Sequence, residues 1–129
     1  MLSTAQGAGF APAKSKESYY LLQETVSQQD GFGPAVVADP NSTLLTLGIT
    51  TALEQEQLDV TVWASSDGEN WGERPVAKFC HKSYCGMYNL PLDLSRLPGV
   101  RHLRVKWRMS RWGGDRDRPL FGFYVAMAV

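Results

Sequence analysis

Three runs of this chain place apolar side chains at every second residue, a period that belongs to a half-buried β-strand and not to a helix. In Thr43 to Leu53, the residues Leu45, Leu47, Ile49 and Leu53 share one parity, while Thr46, Gly48, Thr50 and Ala52 share the other. In Leu58 to Ser66, the residues Leu58, Val60, Val62 and Ala64 face one way and Asp59, Thr61, Trp63 and Ser65 the other, so Trp63 falls on the polar side. In Val100 to Ser110, the residues Leu103, Val105, Trp107 and Met109 are expected in the core, with His102, Arg104, Lys106 and Arg108 outside. A one-residue slip would turn every one of these side chains to the wrong face, so the assignment is strongly constrained.

The remaining strand candidates are Tyr19 to Val26, Ala35 to Ala38, Val76 to His81, Tyr84 to Leu90 and Leu120 to Val129. They are separated by Gly, Pro, Asn and Asp at intervals of about ten residues, the spacing of all-β domains. The last run, with Phe121, Phe123, Val125 and Met127 on one face, reads as a central strand. Asp67-Gly68 supplies a turn between strands, and Leu92 to Gly99 is the one stretch suited to a helical turn. The expected fold class is therefore all-β: an antiparallel two-sheet sandwich, jelly-roll-like, with about eight strands. Residues 1–17, rich in Ala, Gly, Ser and Lys, read as a flexible N-terminal arm, and residues 18–129 as a single sandwich domain.

Charge narrows the partners. Thirteen basic residues balance thirteen acidic ones, so no overall field draws the protein to nucleic acid or to an anionic membrane. No apolar run approaches the roughly 18 residues of a transmembrane segment, and the first residues lack the pattern of a secretory signal. Compartment is left open by these features.

The span Leu-Asp-Val-Thr-Val-Trp-Ala-Ser-Ser-Asp-Gly-Glu-Asn-Trp from Leu58 to Trp71 resembles the strand and hairpin tip of discoidin-type and other galactose-binding-like sandwiches. Val100-Arg-His-Leu-Arg-Val-Lys-Trp107 is similar to a later strand of that family, and the terminal Phe123-Tyr-Val125 sits where that fold closes. The resemblance implies a jelly-roll-like sandwich whose loops at one end bind sugars, lipid head groups or proteins. The family's early Ala-x-Asp-Gly segment with its calcium-binding loop and its terminal cysteine pair have no counterpart here, so no sugar or calcium site is carried over.

The most site-like segment is Arg111-Trp112-Gly-Gly-Asp-Arg116-Asp-Arg118, which joins two core strands. Trp112 is suited to stacking on a sugar or a base, and Arg111, Arg116 or Arg118 to gripping a carboxylate or phosphate. The plainer alternative has the glycines bending a long hairpin, the charges neutralising each other and Trp112 packing on a sheet edge. Calcium at Asp115 and Asp117 is disfavoured by the adjacent arginines. Trp63, taken to lie near an edge, is a second candidate ligand-binding residue. Like charges at His102, Arg104, Lys106 and Arg108 repeat at about 7 Å, which calls for acidic partners such as Asp59, Glu54 or Glu56, or else marks an anion-binding or protein-binding face.

Cys80 and Cys85 lack zinc spacing. If residues 81–84 form a hairpin loop, the two sulfurs face each other and close a disulfide in an oxidising compartment. Otherwise they are two thiols, at least one of them buried. His81 and His102 are accompanied by no nucleophile elbow, and the chain carries no P-loop, dinucleotide fingerprint or His-Glu-x-x-His. The expectation is a non-catalytic binding module, without metal or cofactor, that recognises a carbohydrate or a protein surface through its loops. The alternative is a structural protein that forms a homo-oligomer through one sheet face.

Overall fold

A computed structural model describes residues 18–112 and 118–129. Its elements in chain order are β1 (Ser18–Ser27), β2 (Gly31–Phe32), β3 (Val36–Val37), β4 (Leu44–Ala52), β5 (Glu56–Ser65), β6 (Ala77–Lys82), β7 (Gly86–Pro91), a single 3-10 turn at Leu94–Arg96, β8 (His102–Arg111) and β9 (Phe121–Ala128). The fold is an antiparallel two-sheet sandwich. One sheet has four strands in the order β1-β9-β4-β7, and the other has five, with β2 and β3 both on β8, followed by β5 and β6.

The break between β2 and β3 has a local cause. Gly31 and Phe32 pair with Trp107 and Lys106, and Val36 and Val37 pair with Leu103 and His102, so both segments lie along the same neighbour. Between them stands Pro34, which has no N–H to give to the ladder. Taken together as one interrupted edge strand, β2 and β3 bring the total to the expected eight. Of the successive connections, β5 to β6 stays within one sheet and the others cross between sheets, which is the wrapped order of a jelly roll.

The three alternating runs behave largely as their period requires. Leu45, Leu47, Ile49, Leu58, Val60, Val62, Leu103, Val105 and Trp107 are buried between the sheets, as are Phe121, Phe123, Val125 and Met127 of β9. Burying each of the larger side chains is worth about 1.5–3 kcal/mol relative to exposure. Trp107 meets Phe123 edge to face, with centroids 5.4 Å apart, and its indole N–H donates to the Gln29 carbonyl at 3.0 Å. Leu53, Ala64 and Met109 depart from the pattern and are only partly buried. For Leu53 the cause is a bulge between Ile49 and Thr51, which shifts the register against β9. β9 lies between β1 and β4, the central position its apolar face requires.

Candidate functional site

The end of the sandwich that carries the β4–β5, β6–β7 and β8–β9 connections is organised by Glu56. This residue opens β5 on the same parity as Leu58 and Val60, so its side chain points inward and is completely buried. A buried carboxylate is tolerable only if its oxygens are satisfied. One oxygen accepts from the Leu53 N–H, and the other accepts from the Leu120 N–H at 2.9 Å and lies 3.6 Å from an Arg111 nitrogen. The same Arg111 nitrogen donates to the Glu54 carbonyl at 2.9 Å, and the Trp112 N–H donates to the Gln55 carbonyl at 3.0 Å. Gln55 itself sits at φ 59, a left-handed turn geometry. One carboxylate thus ties the β4–β5 turn to both ends of the β8–β9 connection.

Above this anchor lies a cleft of about 570 Å³ lined by Leu53, Glu54, Tyr84, Cys85 and Trp112 among others. Trp112 is 62% exposed and Tyr84 79% exposed. The Tyr88 hydroxyl donates to the Tyr84 carbonyl at 2.6 Å, and the Lys82 ammonium lies 4.7 Å from the Tyr88 ring, so the β6–β7 connection is braced from below. The cleft therefore offers two exposed aromatic side chains beside a floor held by the Glu56–Arg111 pair.

The candidate residues of the β8–β9 connection separate. Trp112 stands on the cleft. Arg111, expected to grip a ligand, instead turns inward to Glu56, and its side chain is only 7% exposed. Arg118 is exposed, and Arg116 lies outside the described residues together with Gly113, Gly114, Asp115 and Asp117. The plainer reading of Trp112 as an edge-packed side chain does not hold, nor does that of a hairpin, because β8 and β9 belong to different sheets.

The hairpin that would have set Cys80 opposite Cys85 is absent for the same reason, since β6 and β7 belong to different sheets. Both cysteines are free and exposed, which also corrects the expectation that one is buried. Tyr84, beside Cys85, read in the sequence as a strand or loop residue, and its place on the cleft follows from β6 and β7 parting to different sheets, which no local pattern marks.

Trp63 belongs to a different surface. It is half-buried on β5, flanked by β8 and β6, and so sits within the sheet and not at its edge. On this outer face the cationic row expected from β8 is present, but the acidic ladder is not. Asp59 lies opposite Arg108, yet its carboxylate accepts the His81 N–H at 2.6 Å and lies 3.4 Å from His81 Nδ1. Glu56 is inside the core. Aromatic rings take the place of acids: Arg104 lies 4.8 Å from the Phe32 centroid and 4.6 Å from that of Trp71, and Lys106 lies 5.0 Å from that of Trp63. The Trp63 N–H donates to Thr61 Oγ1 at 2.9 Å, which fixes the ring.

The Asp67-Gly68 turn lies at the opposite end, between β5 and β6. Asp67 accepts from the N–H groups of Glu69 and Asn70 at 2.8 and 2.9 Å and from the Asn70 side chain at 2.8 Å, and Gly68 takes φ 82. These donors, the Asn70 and Glu69 backbone first, hold the Asp67 carboxyl far below the usual carboxylate range.

Among the described residues, no helix is long and apolar enough to cross a membrane. No family model matches the chain, and no curated protein matches it. Among solved structures, the fold is similar to a chain in the structure of infectious bursal disease virus, Gx strain, with a TM-score of 0.53 and 12% identity. That similarity covers 95% of this chain and 36% of the other, so the sequence spans about a third of the chain it matches, and at this identity the likeness shows a shared β-sandwich fold.

Proposed function

We propose that the chain is a non-catalytic binding module that takes a carbohydrate or a protein surface in the cleft beside Trp112 and Tyr84. The observation that carries this reading is the pair of exposed aromatic side chains on one concavity whose floor is held by the buried Glu56–Arg111 pair. Aromatic faces stack on sugar rings and anchor protein contacts, and a rigid floor lowers the entropy lost on binding. The discoidin-type resemblance agrees in kind, since it implies recognition through loops at one end of a sandwich. Absence of catalysis is part of the same reading.

The test is an array of neutral and acidic oligosaccharides, followed by titration of the best binder against variants. Trp112→Ala and Tyr84→Ala are each expected to weaken binding by about tenfold, in line with loss of one aromatic anchor, without altering the circular dichroism. Unchanged affinity in both variants contradicts the reading.

A second reading, assembly through a sheet face, is favoured by a separate observation. On the outer face of the four-stranded sheet, the rows Tyr20–Ala126–Thr46–Asn89 and Tyr124–Gly48–Met87 contain no charged residue. Tyr20 is 55% and Met87 69% exposed there. Jelly rolls serve both as lectin domains and as capsid domains, and the similar chain comes from a virus structure. Under this reading the protein runs as a defined oligomer that Tyr20→Glu and Met87→Glu dissociate.

A further inference from the structure

We propose that the outer face of the five-stranded sheet, centred on Arg104, docks an extended acidic segment of a partner protein. This surface is separate from the loop-end cleft and stands or falls independently of it.

Arg104, Lys106 and Arg108 follow one another at alternate positions of β8, so their charges repeat at about 7 Å. Across the sheet, Phe32, Lys106, Thr61 and Lys78 form one row, and Lys78 adds a fourth cation to the same face. Among the described residues none of these four cations makes an ion pair, and Asp59, the acid opposite Arg108, is turned to His81. Within a chain of zero net charge, this face therefore carries a local positive excess.

Arg104 is the centre because it alone of the four lies against two rings. Its guanidinium is held between Phe32 and Trp71, and its Nε is buried without a hydrogen-bond partner. A buried N–H left without an acceptor costs stability, about 1–3 kcal/mol as a general rule, so the stacking on the two rings is what holds the guanidinium in this place. Stacking orients the planar fork in advance, so a carboxylate can be met by two parallel N–H donors.

The occupant follows from spacing and from the state of the rings. Acidic side chains on alternate residues of an extended peptide also repeat at about 7 Å, the same interval as the cations of β8. Nucleobases would need open aromatic faces for stacking, yet Phe32, Trp63 and Trp71 each have a cation against one face and both tryptophans are half-buried, which leaves Phe32 as the exposed ring. The rings hold the cations in place, and charge complementarity selects the partner.

The test measures fluorescence anisotropy of the full chain at low ionic strength with a labelled peptide of alternating Thr and Glu. The comparison probes are its isomer with all Glu residues contiguous and an oligothymidylate of equal charge. The wild type is expected to bind the alternating peptide about five-fold or more tightly than either comparison probe. Arg108→Gln is expected to weaken that binding about three-fold. Arg104→Lys, which keeps the charge and loses the fork, weakens it about tenfold. Trp112→Ala leaves it unchanged, which separates this surface from the cleft. Thermal melts identify any variant that does not fold, and Arg108→Gln, with no ring stacked on it, keeps the proposal testable if Arg104→Lys fails. Equal binding of both peptide isomers, tighter binding of the oligothymidylate, or full affinity in Arg104→Lys or Arg108→Gln overturns it.

Discussion

At the residue scale, Glu56 anchors the loop end, a carboxylate with no exposure whose oxygens hold two turns and an arginine. Glu56→Ala removes the acceptors of the Leu53 and Leu120 N–H groups and leaves the Arg111 charge without its carboxylate. Breaking such a pair costs about 3–5 kcal/mol, and urea denaturation is expected to give an unfolding free energy lower by that amount, read as a fall in the midpoint. Gly48 makes a second point of the same kind, because the Tyr124 ring occupies the space where a β-carbon would stand. Gly48→Val is therefore expected to displace that ring and lower the melting temperature by several degrees, for a cost of about 1–3 kcal/mol. The burial of Glu56 was legible in principle, since it shares the parity of Leu58 and Val60. Reading it instead as a surface partner for the β8 cations let charge override period. The inward turn of Arg111 was legible in the same way, since it continues the parity of Leu103, Val105, Trp107 and Met109, whereas its pairing with Glu56 comes from another strand of the sheet and is tertiary.

Among the elements, β5, β8 and β9 were readable because each alternates cleanly, and a period of two fixes which side chains meet the other sheet. β2 was missed because two residues beside Pro34 carry no period at all, and the crossing of β6 to β7 was missed because a short polar loop looks alike whether it closes a hairpin or changes sheet. The β5–β6 turn gives a pH prediction. The folded-state carboxyl of Asp67 is held below its ordinary value of 3.8, so its contribution to stability is complete above that pH and is lost progressively as pH falls below it. The melting-temperature gap between wild type and Asp67→Ala is accordingly expected to be full near neutral pH and to shrink in acid below about 3.8. β9 is paired on both sides, to β1 and β4, and supplies four wholly buried side chains, Phe121, Phe123, Val125 and Met127. A chain ending at Leu120 is expected to give the circular dichroism and the narrow amide proton dispersion of an unfolded polypeptide.

Over the whole molecule, the jelly-roll order sends most connections from one sheet to the other and leaves three surfaces of different chemistry. The loop end has a cleft with two exposed aromatics, the five-stranded face has cations stacked on rings, and the four-stranded face has uncharged rows around Tyr20, Tyr124 and Met87. The sandwich could be inferred from periodicity, whereas the cleft depends on which three connections share an end, a matter of topology that no local pattern carries. Light scattering distinguishes the two functional readings at this scale, a monomer favouring recognition at the cleft and a defined oligomer favouring assembly. The most direct measurement for recognition is a two-dimensional amide NMR titration of the full chain with the best oligosaccharide from the array. Shifts are expected to concentrate at residues 53–56, 83–85 and 111–112. Shifts confined to the rows around Tyr20 and Met87, or spread evenly over both sheets, would contradict recognition at the cleft.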